Sequence, residues 1–266
     1  MTKEALGRLM PGLQKAVRAT GDFILREQAR VSRADVEDKS FNSLVSYVDQ
    51  QAEEQLVSAL SRLLPEAGFI TEEDTTDQRQ APYQWIIDPL DGTTNYLHGL
   101  PVFAVSVALQ GPTHPELGVV YELGQRELFH AQRGQGAFLD QQPLRVAPTA
   151  QLSEALFATG FPYQDFSRMA AFNGLMDHFF QHSRGLRRLG SAATDLAYVA
   201  CGRFSGFFEY GLAPWDVAAG ALLVHEAGGQ VTDFSGGPDY LFSGEIAAAS
   251  RALHPEMQRL IAHYMN

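Results

Sequence analysis

Cysteine is almost missing from this sequence: Cys201 stands alone. A single thiol can form neither an intrachain disulfide nor a cysteine metal cluster. That scarcity fits a reducing compartment, so the cytoplasm is the expected location. Cys201 lies between Ala200 and Gly202, a setting for core packing rather than thiol chemistry. No apolar run reaches the roughly eighteen residues of a membrane-spanning helix. The opening Met1-Thr2-Lys3-Glu4 leads into mixed sequence, so no secretory signal is read there. Positive charge is scarce too. Twenty Lys and Arg face 31 Asp and Glu, a formal net charge of −11. That balance argues against broad binding to a nucleic-acid backbone. The eight histidines include no His-Glu-x-x-His or similar spacing, which leaves zinc without support. There is no internal repeat, low-complexity tract or flexible linker.

What remains is 266 residues, 45% of them hydrophobic, enough for a substantial core in one large domain or two closely packed halves. Leu6, Leu9, Leu13, Val17 and Ile24 predict one amphipathic helix, placed after Pro11. A polar stretch with Lys39 and Asn42 precedes a second helix over 49–64, ended by Pro65 and Gly68. Phe69-Ile70-Thr71 reads as a strand. Segments 102–109, 117–123, 127–132 and 136–139 read as a meander. Pro148-Thr149 is the expected seam between an N-terminal half (1–148) and a C-terminal half (149–266). In the second half strands are expected at 155–159, 186–189, 206–210, 230–234 and 246–250. Helices are expected at 166–182, 192–203, 217–227 and 255–265. That alternation predicts a layered α/β structure.

The chain is organised around Trp85-Ile86-Ile87-Asp88-Pro89-Leu90-Asp91-Gly92-Thr93-Thr94-Asn95. An apolar strand is expected to break at Asp88-Pro89. The following turn opens a helix capped by Thr93, Thr94 or Asn95. Two acids at a strand mouth can hold a cation, and free N–H groups beside them can hold an anion. Glu72, after the Phe69 strand, and Asp216, in Pro214-Trp215-Asp216, are placed alike. Each has a plain reading as well: Glu72-Glu73-Asp74 as a wet loop, Asp216 as an acid favoured by a helix dipole. Oxygen ligands of this kind suit Mg²⁺ or Mn²⁺. Two cations sharing a carboxylate would clamp both oxygens of a phosphoryl displacement.

Asp88-Pro89-Leu90-Asp91-Gly92-Thr93-Thr94-Asn95 and Trp215-Asp216-Val217-Ala218-Ala219-Gly220 resemble the two signature motifs of the inositol monophosphatase family. Phe69-Ile70-Thr71-Glu72-Glu73, Arg133-Gly134-Gln135-Gly136-Ala137-Phe138 and Gly190-Ser191-Ala192-Ala193 extend the likeness over nearly the whole chain. The resemblance implies an α-β-α-β-α sandwich of the carbohydrate phosphatase type. It also implies a homodimer and Mg²⁺-dependent, Li⁺-sensitive hydrolysis of a small phosphate monoester, foremost myo-inositol monophosphate. By motif, Glu72, Asp88 and the Leu90 carbonyl would hold a first metal, and Asp88, Asp91 and Asp216 a second. A third, weaker one would use Glu72. Gly92 and Thr93 would offer N–H groups to the phosphate. The Thr93 hydroxyl, paired with Asp49, would orient or deprotonate the attacking water together with Glu72. Asp91, Ser191, Ala192, Glu209 and Asp216 would contact the polyol. Locally, Asp49 also reads as a helix cap and Glu209 as a surface acid at a strand end.

The sequence departs from the family pattern at three points. Ser46 replaces a usual threonine, Thr71 a common glycine, and Ala213 a residue that is often basic in bacterial relatives. Relatives acting on 3′-phosphoadenosine nucleotides, fructose bisphosphate or histidinol phosphate are the competing enzymes. A regulatory binding protein that keeps the fold is the competitor of another class. A dinucleotide oxidoreductase would lean on Gly134-Gln135-Gly136, which lacks the third glycine.

Overall fold

The computed structural model describes residues 1–31, 36–40, 43–163 and 165–265. Helix α1 spans Lys3–Glu27, and the Thr2 hydroxyl caps it by accepting the Ala5 N–H at 3.2 Å. The helix begins well before Pro11, which lies inside it, against expectation. A buried stripe of Leu6, Met10, Leu13, Val17 and Ile24 runs past the proline, and its burial outweighs one missing N–H. Strands β1 (Val36–Ser40) and β2 (Ser43–Ser46) then pair antiparallel. No strands are expected here from the sequence, because VEDKS and SLVS carry too little apolar alternation. The Lys39 side chain, and Asn42 altogether, lie outside the described residues.

Helix α2 (Tyr47–Leu63) leads to β3 (Gly68–Thr71) and β4 (Gln84–Asp91), which run parallel. A one-turn helix, α3 (Thr93–Leu97), follows. Strands β5 (Ala104–Gln110), β6 (Pro115–Glu122), β7 (Glu127–Gln132), β8 (Gly136–Leu139) and β9 (Gln142–Pro143) add on antiparallel, making a seven-stranded sheet in chain order. The second half runs β10 (Leu156–Thr159), α4 (Met169–His182), β11 (Gly185–Arg187), α5 (Ala192–Ala200), β12 (Gly206–Tyr210) and α6 (Pro214–Glu226). It ends with β13 (Gly229–Thr232), β14 (Glu245–Ser250) and α7 (His254–Met265). Its five strands lie in the order β11-β10-β12-β14-β13, with β14 antiparallel to both neighbours. The predicted helices at 166 and 217 start at Met169 and Pro214 instead, and the one predicted to reach 203 stops at Ala200.

Side-chain alternation builds three cores. On β5, Val105, Val107 and Leu109 face α1 and α2, while Ala104 and Ala108 face the other way, into a core shared with α5 and α6. Those two helices also pack on the five-stranded sheet, whose far face carries Phe208 and Tyr210 toward α4 and α7. The layers are therefore α1/α2, seven-stranded sheet, α5/α6, five-stranded sheet, α4/α7: the α-β-α-β-α sandwich. Helices α5 and α6 are covered on both sides, and their sequences AATDLAYVA and PWDVAAGALLVHE are accordingly rich in small residues. Among the described residues no helix is long and apolar enough to cross a membrane.

One local expectation is overturned at the centre. Strand β4 does not break at Asp88-Pro89 but runs on to Asp91, with its pairing to β5 slipping between Asp88 and Asp91. Such a slip is where a sheet tolerates proline, since the residue there owes no ladder hydrogen bond.

Candidate active site

The slip in β4 turns two acids toward one place. The Asp88 carboxylate accepts the Leu90 N–H at 2.9 Å, across the proline, and is 1% exposed. Gly92, not a threonine or Asn95, caps α3, with φ of 93°. A side chain there would meet the Val102 carbonyl at 3.0 Å and the Gly190 carbonyl at 3.2 Å, so glycine is required by both conformation and space. As the opening residues of a helix, Thr93 and Thr94 have N–H groups with no partner within it.

Helix α2 reaches this turn from the other side. Ser46 is its N-cap, and Asp49 Oδ2 accepts from the Ser46 N–H at 2.9 Å and Oγ at 2.7 Å, a capping box. Asp49 Oδ1 lies 3.0 Å from Thr93 Oγ1. The cap and the partner of Thr93 are thus one carboxyl, and both readings of Asp49 describe its contacts. The Leu90 carbonyl also lies 3.0 Å from Thr93 Oγ1, so one hydroxyl proton is shared between two acceptors. Burial raises Asp49 above its usual range, against the pull of its bonds from Ser46 and Thr93.

Asp91 and Asp216 complete the cluster. Asp91 Oδ2 accepts from Ser191 Oγ and from the Ala193 N–H, both at 2.7 Å. Ser191 thus caps α5 and at the same time holds Asp91. Asp216, in the first turn of α6, accepts the Ala213 N–H through Oδ2 at 2.6 Å. Each acid is pinned through one oxygen by backbone. One oxygen each from Asp88, Asp91 and Asp216 fall within 4.8 Å of one another. Glu72, just past β3, stands beside Asp88 and is hydrogen-bonded to it. Burial pushes Asp88 well above the carboxylate range, and Glu72, Asp91 and Asp216 push it the same way. Burial raises Asp91 to about 6 against its bonds from Ser191, Ala193 and Ala192. Asp216 goes to about 8, by burial first and by Asp91 second. Carboxyls this crowded hold protons unless a cation takes their place. An all-oxygen set of three pinned acids suits a hard divalent ion and lacks the nitrogen or sulfur that zinc prefers. The residues therefore fit the metal that the resemblance implies.

The acids open into a cavity of about 640 Å³ lined by Glu72, Asp91, Thr93, Ser191, Glu209 and Asp216, among others. Glu209 is not a surface acid. It is 6% exposed, and burial lifts it to about 8 although Arg188 pulls it down. Its carboxyl rests on Gly160, where a Cβ would come within 1.8 Å of Oε1. Two lining residues escape the sequence reading. Asp195 is 1% exposed, its Oδ1 has no hydrogen-bond partner, and burial together with Glu209 raises it strongly. Its one signal is an acid inside an otherwise small and apolar helix. Arg188 lies over the rings of Phe161 and Tyr163, at 5.7 and 5.4 Å, on the outer wall. Nothing local marks it, because the rings come from a loop distant in sequence. Cys201 packs against the central core, where burial pushes its thiol up.

The sequence profile describing the Inositol monophosphatase family matches residues 8–266. A Neisseria meningitidis protein named "Putative Nus factor SuhB" is 41% identical over 252 residues, 94% of this chain and 97% of the relative. The crystal structure of the extragenic suppressor protein SuhB from Bartonella henselae superposes with a TM-score of 0.89 at 37% identity, covering 96% of this chain and 98% of that one. An inositol monophosphatase from Anabaena superposes with a TM-score of 0.85 at 33% identity, covering 97% of each chain.

Proposed function

Because this chain belongs to the inositol monophosphatase family, we propose that it hydrolyses a small phosphate monoester, with myo-inositol monophosphate as the foremost substrate. The observation that carries the reading is the cluster of Asp88, Asp91 and Asp216, of which Asp91 and Asp216 line a cavity shared with Ser191, Asp195 and Glu209. Glu72, Asp88 and the Leu90 carbonyl would hold one Mg²⁺, with Asp88, Asp91 and Asp216 holding another; a third would use Glu72, and Mn²⁺ is the alternative ion. When bound, such ions supply positive charge against the phosphate and acidify water.

The remaining roles fall to the protein. Gly92 and Thr93 present N–H groups to the phosphate oxygens. Thr93 Oγ1, held by Asp49 at 3.0 Å, orients the attacking water and passes its proton toward Asp49 or Glu72. Glu209 accepts a polyol hydroxyl, and Asp91, Ser191, Ala192 and Asp216 line the path between hydroxyls and phosphate. In this reading residues 1–148 bring most of the acids and 149–266 close the cage and carry the polyol wall. The active form is taken to be a homodimer, and Li⁺ to inhibit.

The test is phosphate release from a panel of monoesters, with Mg²⁺, with EDTA and with added Li⁺. Wild type should turn over inositol monophosphate only with the divalent ion, and Asp91→Asn should lose at least about a hundredfold. Full activity in EDTA, or in Asp91→Asn, would sink the cation mechanism. Turnover of nucleotide monoesters alone would move only the substrate. A second reading draws on relatives that bear the name Nus factor SuhB: a binding role beside hydrolysis. Pull-down with Asp91→Asn separates the two, since a scaffold role survives that change.

A further inference from the structure

We propose that Glu53 is a positioning residue for Glu72, so that helix α2 sets both groups expected to face the attacking water. This rests on the hydrolase reading above. Glu53 is fully buried, at 0% exposure, and pairs with no Lys or Arg among the described residues. A buried carboxylate without a counter-charge must be satisfied by hydrogen bonds. Glu53 directs both oxygens at one short loop. Oε2 accepts the Glu73 N–H at 2.8 Å, while Oε1 accepts the Thr75 N–H at 2.8 Å and the Thr75 hydroxyl at 2.7 Å.

That loop carries Glu72. Of the acids placed in the cage, Asp88 and Asp91 lie within a strand and Asp216 within a helix, whereas Glu72 lies just beyond the end of β3. The residue before it, Thr71, is fixed by pairing with Ile87 of β4. The residue after it, Glu73, is fixed by Glu53. Gln78 closes the loop on itself, its Nε2 reaching Thr71 Oγ1 at 3.1 Å and Asp74 Oδ1 at 2.7 Å. Glu72 is therefore clamped on both sides, once by the sheet and once by α2.

Spacing explains why one helix can serve both groups. Asp49 and Glu53 are four residues apart and share a face of α2. The first reaches Thr93 at 3.0 Å and the second reaches the loop of Glu72. The helix acts as a strut whose two rungs keep the hydroxyl and the carboxylate in register. Removing the second rung should loosen Glu72 while leaving Asp88, Asp91 and Asp216 in place.

The test compares wild type with Glu53→Gln, Thr75→Val and Thr75→Ser. The first readout needs no turnover: the rise in melting temperature across a Mg²⁺ titration. Phosphate release against Mg²⁺ follows. In Glu53→Gln the Mg²⁺ midpoint should rise about tenfold by both readouts. Thr75→Val, which loses one of the three bonds, should rise less, and Thr75→Ser should match wild type. If Glu53→Gln does not fold, Thr75→Val against Thr75→Ser carries the comparison. A lower metal-free melting temperature with an unmoved midpoint in the variants would make Glu53 a stabilising residue only and overturn the inference alone. A wild type that shows no Mg²⁺ shift overturns the cation reading and this inference with it.

Discussion

A single methyl group is all that Gly160→Ala adds, and it would land within 1.8 Å of the Glu209 carboxyl. Either Glu209 or the loop must move, while Asp88, Asp91 and Asp216 keep their own backbone anchors. Gly160→Ala should therefore raise KM for inositol monophosphate severalfold and leave turnover of p-nitrophenyl phosphate, which has no hydroxyls to place, close to wild type. Equal losses on both substrates would show that Glu209 does not read the polyol. Residues differ in how far the sequence announces them. Asp88, Asp91 and Asp216 are legible because they stand in the two signature motifs, although an acid at a turn or helix start has a plain reading when taken alone. Glu209 is ambiguous because what surrounds it is distant in sequence: Gly160 against its carboxyl, and the charges of Arg188 and Asp91. Glu53 is silent, and Asp195 nearly so, for a related cause. An acid in a helix reads as solvated, and only the packing of other elements buries it.

Helix α2 concentrates several of these effects in one element. Ser46→Ala removes the cap hydroxyl and should destabilise the fold by about 1 kcal/mol in urea unfolding. It also takes one donor from Asp49, so kcat should fall more than KM rises. A variant with lowered stability and unchanged kcat would confine Ser46 to capping. Elements with a strong period, such as α2 and β6 to β8, are legible to within a few residues. Those defined by a partner are not: β1 and β2 exist through each other, and β4 passes through Asp88-Pro89 because β5 accepts a slipped register. Helix α1 runs through Pro11 for the same kind of reason, since a buried stripe on two sides of a proline outvotes it.

At the scale of the whole molecule, several acids that composition counts toward the net charge are buried, among them Asp49, Glu53, Asp88, Asp91, Glu122, Asp195 and Glu209. For an acid whose folded-state pKa lies above its unfolded value, the folded chain holds more protons through the interval between them. Stability then falls as pH rises through that interval. Asp91 at about 6, with Asp216 and Glu209 at about 8, sets the interval between the ordinary carboxylate range and about 8. The metal-free protein should melt at progressively lower temperature as pH rises from about 5 to about 8, and saturating Mg²⁺ should flatten that slope. A metal-free melting temperature that climbs over this range would refute the crowding of uncompensated carboxyls. Alternation of strand and helix alone does not say that α5 and α6 are shared by both sheets; the five-layer order is legible through the family resemblance, and the fold has it. The same order keeps Asp88, Asp91 and Asp216 on interior elements pinned by backbone, while Phe161 and Tyr163 ride an exposed loop against Arg188. Two evolutionary clocks are thereby built into one cavity. After a gene duplication the rim can drift toward a new alcohol within a few exchanges, while the floor is held by double duty, since Asp91 and Asp216 also accept backbone N–H groups at the starts of α5 and α6.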